Sequence, residues 1–381
     1  MNLSQIRMAR LATNALFFTN GLSFASWASR IPDIKENLHL SDAALGTVLF
    51  SAPIGSLSAL PLAGFLIHKF SSRKIALVST LFYLAAMPFL GLATTAWQLA
   101  LALFMFGFGG DLLNISMNVQ AVGIENALSR YIMSSFHAVF SIGFMLGAVF
   151  GGFMASAGVL PSHHLAGTGF FTCAIGLITF RFLLKQDGKQ DQTQPLFALP
   201  DQSLLLLSLI CFCAMLCEGA VADWSVLYYK QVLANTKGFV TAGFTAFSVA
   251  MVVGRLFGDY IVANLGLRKT LFLQCVILTV GMLMALVWPM PVLVVFGFGF
   301  AGLGLSIIVP LIYSEAGHSA TMSAGVALAA ITTVGMAGFL FGPVLIGYLS
   351  EYTSLRTALG LLVVLGLVGA RLSLKVGRND N

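Results

Sequence analysis

GFLIHKFSSRKIAL, residues 64–77, has a counterpart 195 residues later in DYIVANLGLRKTLF, residues 259–272. In each, an apolar run ends in a short polar turn, and an Arg-Lys pair (Arg73-Lys74, Arg268-Lys269) stands just before the next apolar run. The same offset of 195 relates GFMLGAVFGG (143–152) to GFLFGPVLIG (338–347). Both of these place small residues at every fourth position, the spacing that lets two helices approach closely. Self-similarity at a fixed offset reads as a duplicated unit.

Composition states what the unit is made of. Of 381 residues, 58% are hydrophobic and 9% charged, with a mean hydropathy of +0.92. A soluble domain is about a quarter charged, so this chain has too little polar surface to cover a soluble globule. Lipid cannot satisfy backbone amides, which restricts spanning segments to helices or closed barrels. The apolar runs are about 20 residues long without period-2 alternation, so they are helices. Twelve spans are expected, near 8–29, 43–67, 75–95, 97–123, 131–156, 165–184, 203–229, 240–263, 267–288, 291–313, 321–349 and 355–374. The one long polar connection is KQDGKQDQTQPLFALPDQ, residues 185–202. The expected fold is therefore an all-α membrane protein with two six-helix halves, 1–184 and 203–381, joined by a linker at 185–202. The first apolar run continues past Trp27 without a cleavage pattern, which reads as a retained helix rather than a signal peptide.

Orientation follows from Lys and Arg in the loops. With the N-terminus in the cytoplasm, 15 of the 20 basic residues fall on the cytoplasmic side, Arg255 among them, and 5 on the other. Both termini and the linker are thus expected in the cytoplasm. The two halves begin on the same side and run parallel about an axis along the membrane normal. The net charge of +6 then reflects orientation and points to no nucleic-acid partner. The five cysteines all lie inside apolar runs, as small packing residues do. No metal site is expected, His163-His164 included. No phosphate-binding Gly-rich loop and no nucleophile–base pair is legible, so neither a cofactor nor an enzymatic activity is expected. The expected partner is the bilayer, with the chain acting as a monomer.

The turn at 64–77 resembles the loop signature of the major facilitator superfamily, and the resemblance spans the chain. Gly64, Leu66, Lys69, Arg73 and Lys74 match, while His68 stands at the signature's Asp and Ser71 at its Gly. In the second copy Gly266, Arg268 and Lys269 match, Ala263 stands at the Asp, and Asp259 lies one turn earlier. Span five resembles the family's antiporter signature at Gly143, Gly147, Gly151 and Gly152, with Ala148 in place of its Pro. FASWASRIPDIKENLHLSDAALG (24–46), NISMNVQAVGIE (114–125), MSSFHAVFSIG (133–143) and EGAVADWSVLYY (218–229) look like the YbjJ subgroup of bacterial inner-membrane proteins, often placed near fucose-permease-like transporters. The resemblance implies a transporter with a central cavity and alternating access, and names no solute.

Polar residues inside the spans are the candidate site. Asp111 is fourteen residues from both Trp97 and Glu125, the two ends of its span. At about 1.5 Å per residue that is near the bilayer midplane. Asn114, Asn118 and Glu125 share its helical face. Glu218 is equally central in span seven, and Asp223 and Trp224 follow toward its far end. Span one carries Asn20, Ser23 and Trp27 as a polar-aromatic stripe, and His137 lies one turn into span five. These form the expected solute and proton cavity: Asp111, Asn114, Asn118, Glu218, Asn20, Trp27, His137, Trp224 and Asp223. A second group is expected as a cytoplasmic gate between the halves: Arg73, Lys74, Glu125, Arg130, Asp259, Arg268 and Lys269, with Arg255 and Glu315 nearby.

Amides suit hydroxyls and an indole face stacks on a ring, so the leading expectation is proton-driven transport of a small polar, sugar-like solute. The alternative is efflux of amphipathic drugs by proton antiport, which 32 Phe and 15 Met could line adaptably. A membrane sensor would need an output domain, for which a linker under twenty residues leaves no room. The orientation is directly testable. A reporter active only in the cytoplasm should work when fused after Lys189, and one that requires export should work near Lys237. The reverse pattern contradicts the parallel halves.

Overall fold

The computed structural model describes residues 3–128, 132–185, 199–233, 239–317, 322 and 324–376. Among them are fourteen α-helices in chain order. They are α1 Leu3–Ala28, α2 Ile31–Asn37, α3 Asp42–Leu49, α4 Ser51–Phe70, α5 Ser72–Leu92, α6 Ala96–Leu128 and α7 Met133–Ser156. Then follow α8 Pro161–Thr179, α9 Gln202–Leu233, α10 Ala242–Val287, α11 Pro291–Leu305, α12 Ile308–Gly317, α13 Ala324–Tyr352 and α14 Leu355–Ser373. Among the described residues, ten segments are long and apolar enough to cross a membrane. Ala242–Gly258 is apolar but shorter. Most of the linker, and the expected reporter sites Lys189 and Lys237, lie outside the described residues.

The helices pack as two compact units, Met1–Leu40 with Val48–Asp191, and Ser41–Thr47 with Gln192–Asn381. In the first unit α1 lies on α7, and α6 lies between α4 and α5, with α8 against α5. A buried cluster of Ala59, Ala63, Ile67, Ile75, Leu112 and Val119 ties α4, α5 and α6 together. In the second unit α9 lies on α13, and α10 packs on α11 and α14.

The same backbone contacts recur in each unit. Gly107 of α6 lies against the carbonyl of Ala52 in α4, and Gly302 of α11 against the carbonyl of Phe247 in α10. Both members of this pair shift by 195 residues between the units. Likewise Gly143 of α7 abuts Phe18 O in α1, and Gly338 of α13 abuts Phe212 O in α9. At each of these places the helices touch backbone to backbone, where any Cβ would collide. The small-residue stripes of 143–152 and 338–347 are thus used for packing inside their own units.

The quoted turn repeats as well. Ser71 has φ 78° and ψ 148°, and Gly266, 195 residues on, has φ 73° and ψ 168°. This sharp reversal lets α4 turn into α5, and it divides α10 into two rods that continue without a longer loop. Glycine adopts positive φ freely, whereas a residue with a Cβ is held there at a cost of about 1–3 kcal/mol. Replacing Ser71 with Gly should therefore raise stability by about 1 kcal/mol, and Gly266→Ala should lower it by a similar amount. Thermal unfolding of the two variants checks this; a Ser71→Gly protein less stable than the parent would contradict it.

Candidate functional site

Asp111 lies on α6, fifteen residues from Ala96 and seventeen from Leu128. Its carboxylate is held by hydrogen bonds from the side chains of Ser56 on α4 and Asn114 one turn further along α6. Asn118 continues the chain, donating from Nδ2 to Asn114 O at 2.8 Å and to Asn114 Oδ1 at 3.1 Å. Asp111, Asn114 and Asn118 are half-buried, while Leu112, Leu113 and Met117 between them are buried. One face of this helix is thus a ladder of oxygen and amide groups, and the other faces pack. A charged group at the centre of a membrane helix costs at least about 2.5 kcal/mol unless it is paired, protonated or wet. Asp111 is given two donors, which lowers that cost without cancelling its charge.

The second unit has a different arrangement at the middle of α9. Glu218 is sixteen residues from Gln202 and fifteen from Leu233. Its Oε1 lies 3.9 Å from an Nη of Arg255 on α10, whose Nε donates to Ser306 O at 3.2 Å. Arg255 is thirteen residues past Ala242 and eleven before the reversal at Gly266. This corrects the sequence expectation that Arg255 belongs to a cytoplasmic loop. It is a mid-helix residue, and the loop count becomes 14 against 5. Protein surrounds Glu218, yet 32% of its side chain and 28% of that of Arg255 remain accessible. A charged pair at this depth is tolerated only where its open surface meets water or other polar groups rather than hydrocarbon.

Other expected cavity residues fall in several places. Asn20 and Trp27 on α1 are buried, at 8% and 3% exposure. Trp224 is wholly buried, and its indole N–H has no partner among the described residues. Both indoles are thus enclosed by protein. Burying ring area of this size is among the most favourable single contributions a side chain makes. Asp223 is half-buried on α9. His137 is exposed on α7, with Phe17 edge-on at 5.3 Å.

In the cytoplasmic group, Arg73 donates from Nε to Phe180 O at 2.8 Å and stacks its guanidinium over the Phe180 ring at 4.3 Å. Glu125 Oε1 accepts from the backbone N–H of Ile132 and Met133, at 2.6 and 2.7 Å, and so caps the start of α7. Each of these two residues is thus tied within its own unit. Lys74, Arg268, Lys269 and Glu315 are exposed. Arg130 and the side chain of Asp259 lie outside the described residues.

One residue beside Asp111 escaped the sequence reading, and another, expected at the cytoplasmic gate, was read at the wrong depth. Ser56 gave no signal, since a lone Ser in an apolar helix is common. Arg255 did give one, because it lies inside the expected span 240–263; counting it with the loops obscured its depth.

The model of the Major Facilitator Superfamily matches residues 14–327. The chain belongs to the major facilitator superfamily. An uncharacterized transporter of this type from Yersinia pestis is 34% identical over 363 residues, covering 95% of this chain and 94% of that protein. The membrane protein MosC of Rhizobium meliloti is 30% identical over 354 residues, covering 93% and 86%. Among solved structures, a mutant form of the nucleoside transporter NupG superposes with a TM-score of 0.78 at 15% identity, covering 97% of this chain and 100% of that one. A bacterial homolog of the human lysosomal transporter Spinster, inward-facing and unoccupied, also gives 0.78 at 13% identity, covering 99% and 98%. These superpositions concern the superfamily's fold. As a member of the superfamily the chain is a multi-pass membrane transporter of a small molecule, and not an enzyme.

Proposed function

We propose that this transporter carries a small polar, hydroxyl-bearing solute and draws on the proton gradient through Asp111. Supporting it most is the ladder of Asp111, Asn114 and Asn118 along the half-buried face of α6. A carboxylate in water is charged, and one removed from water is held more cheaply as the neutral acid. A cycle that alternately opens the site to either side and closes it therefore couples the proton on Asp111 to conformation. Asn114 and Asn118 supply donors and acceptors for hydroxyls without adding charge. In this reading α1 and the Ala242–Gly258 part of α10 also cross the bilayer, making twelve spans in two six-helix halves, 1–184 and 203–381, with both termini and the linker in the cytoplasm of a bacterial inner membrane. The protein works as a monomer and belongs with the YbjJ-like, fucose-permease-like subgroup. The exposed cations Lys74, Arg268 and Lys269 remain candidates for the cytoplasmic gate. Drug efflux is the weaker reading, because the span-five glycines that suggested antiport are engaged in packing α7 on α1.

A thermal-shift screen of the purified protein against sugars, amino sugars, organic acids and drugs identifies a solute to follow. In proteoliposomes Asp111→Asn should then lose gradient-driven accumulation while remaining folded, since the amide keeps the shape and still hydrogen-bonds. Asn118→Ala should weaken solute binding by about tenfold, the equivalent of one hydrogen bond of about 1.4 kcal/mol. An Asp111→Asn protein that accumulates solute in proportion to the gradient would contradict the proposal.

A further inference from the structure

The end of the first unit at the Ser71 reversal gathers cations around one fastened point. Arg73, in the first turn of α5, is tied to the short turn Phe180–Phe182 that follows α8, through its hydrogen bond to Phe180 O and its stacking on the Phe180 ring. Gln120 of α6 fastens the same place, donating from Nε2 to Ser72 Oγ at 2.7 Å and accepting from Leu184 N at 2.7 Å. Lys74, Arg181 and Lys185 each adjoin one of these fixed residues, and all three side chains are exposed. Lys69 stands across the reversal, with Nζ 5.4 Å from the centre of the Phe70 ring. Among the described residues, none of Lys69, Lys74, Arg181 and Lys185 has a carboxylate partner. Charge that only orients a loop needs no fixed place, yet these cations are held, Arg181 by stacking over the Phe182 ring at 4.9 Å.

The apolar surface beside them completes the pattern. Along the seam between α5 and α8, Gly176 lies against the side chain of Thr80. Next to that contact, Leu81 on α5 and Leu177 on α8 are both exposed. Val78 is exposed between Leu81 and Lys74, and Ile178 between Leu177 and Arg181. Offsets of three, four and seven residues keep each set on one helical face. Each helix thus presents an apolar column that ends in a cation. Both belong to segments long and apolar enough to cross a membrane, so the columns meet acyl chains while the cations stand at headgroup level.

We propose that this end of the α5–α8 seam binds an anionic glycerophospholipid, with its phosphate among Lys74, Arg181 and the flanking Lys69 and Lys185, and its two acyl chains along the two columns. A basic pocket between membrane helices is the kind of site that takes an anionic headgroup. A zwitterionic headgroup would bring its own ammonium into the cluster, and a soluble phosphate would leave the columns uncovered. The lipid would hold Lys74, leaving Arg268 and Lys269 for the cytoplasmic gate.

The test uses the purified full-length protein in detergent, supplied with phosphatidylglycerol or phosphatidylethanolamine. Lipid retained by the protein is counted by native mass spectrometry, and unfolding temperature is followed in parallel. The parent should retain phosphatidylglycerol about tenfold better than phosphatidylethanolamine and gain stability from it. Inorganic phosphate and glycerol 3-phosphate, which bring the charge without the chains, should not displace it. K69Q/K74Q/R181Q should weaken retention about a hundredfold, at about fivefold per cation. The charge-keeping K69R/K74R/R181K should bind as the parent does. So should R268Q/K269Q/R371Q, which removes as much charge from exposed positions of the second unit. Equal retention of the two lipids by the parent overturns the proposal, as does equal loss in the two glutamine variants, or displacement by either soluble phosphate. Because binding is read without a solute or a gradient, the result stands apart from the transport reading.

Discussion

A charge at the centre of a bilayer must be paired, neutralised by a proton or kept wet, and this constraint organises the molecule. The chain is 9% charged, and it places Asp111, Glu218 and Arg255 where hydrocarbon would be least tolerant. Each is provided for differently. Asp111 receives donors from Ser56 and Asn114, and Glu218 and Arg255 share an ion pair with Ser306 O behind it. In both units the charge is thus answered by polar groups from a neighbouring helix rather than left to hydrocarbon.

The scaffold around these charges is duplicated, but the chemistry is not. Ala52 with Gly107 and Phe247 with Gly302 make the same backbone approach in the two units, and Ser71 and Gly266 make the same reversal. At the same offset, however, Asp111 corresponds to Ser306, Asn118 to Tyr313, Arg255 to Leu60 and Glu218 to Ser23. Close helix packing needs only a missing side chain and is easily kept in both copies. The polar groups are each used once, so one copy carries a carboxylate with a hydroxyl and amides, and the other a carboxylate beside a guanidinium.

Much of this was legible before any coordinates. Run length and hydropathy suffice for the long helices, since the bilayer's thickness and the demand for internal hydrogen bonds leave few other solutions. The depth of Asp111 and the shared face of Asn114 and Asn118 follow from helical period alone. Where the reading fell short, the missing information was tertiary. A tryptophan such as Trp27 or Trp224 has the same period whether it packs inward or lines a cavity, so period alone does not give the burial that both show. Arg255 was assigned by its charge to a loop, although its place in the span put it deep. Ser71 gave no hint of its left-handed backbone except by alignment with Gly266. Glu125 shared the face of Asp111 but proved to cap α7, a role set by a helix start that lies beyond its own segment.

The central claim is that the polar faces of α6 and α9 border water deep in the membrane. The five native cysteines are buried, so single cysteines introduced at Asn114, at Glu218 and at the exposed apolar Phe150 can be compared directly. In intact cells, a membrane-impermeant thiol reagent should label Asn114→Cys and Glu218→Cys at least tenfold faster than Phe150→Cys, whose thiol in lipid stays protonated and unreactive. Equal, slow labelling at all three positions would contradict the account, because the charges would then lie in a dry interior where neither proton nor solute could reach them.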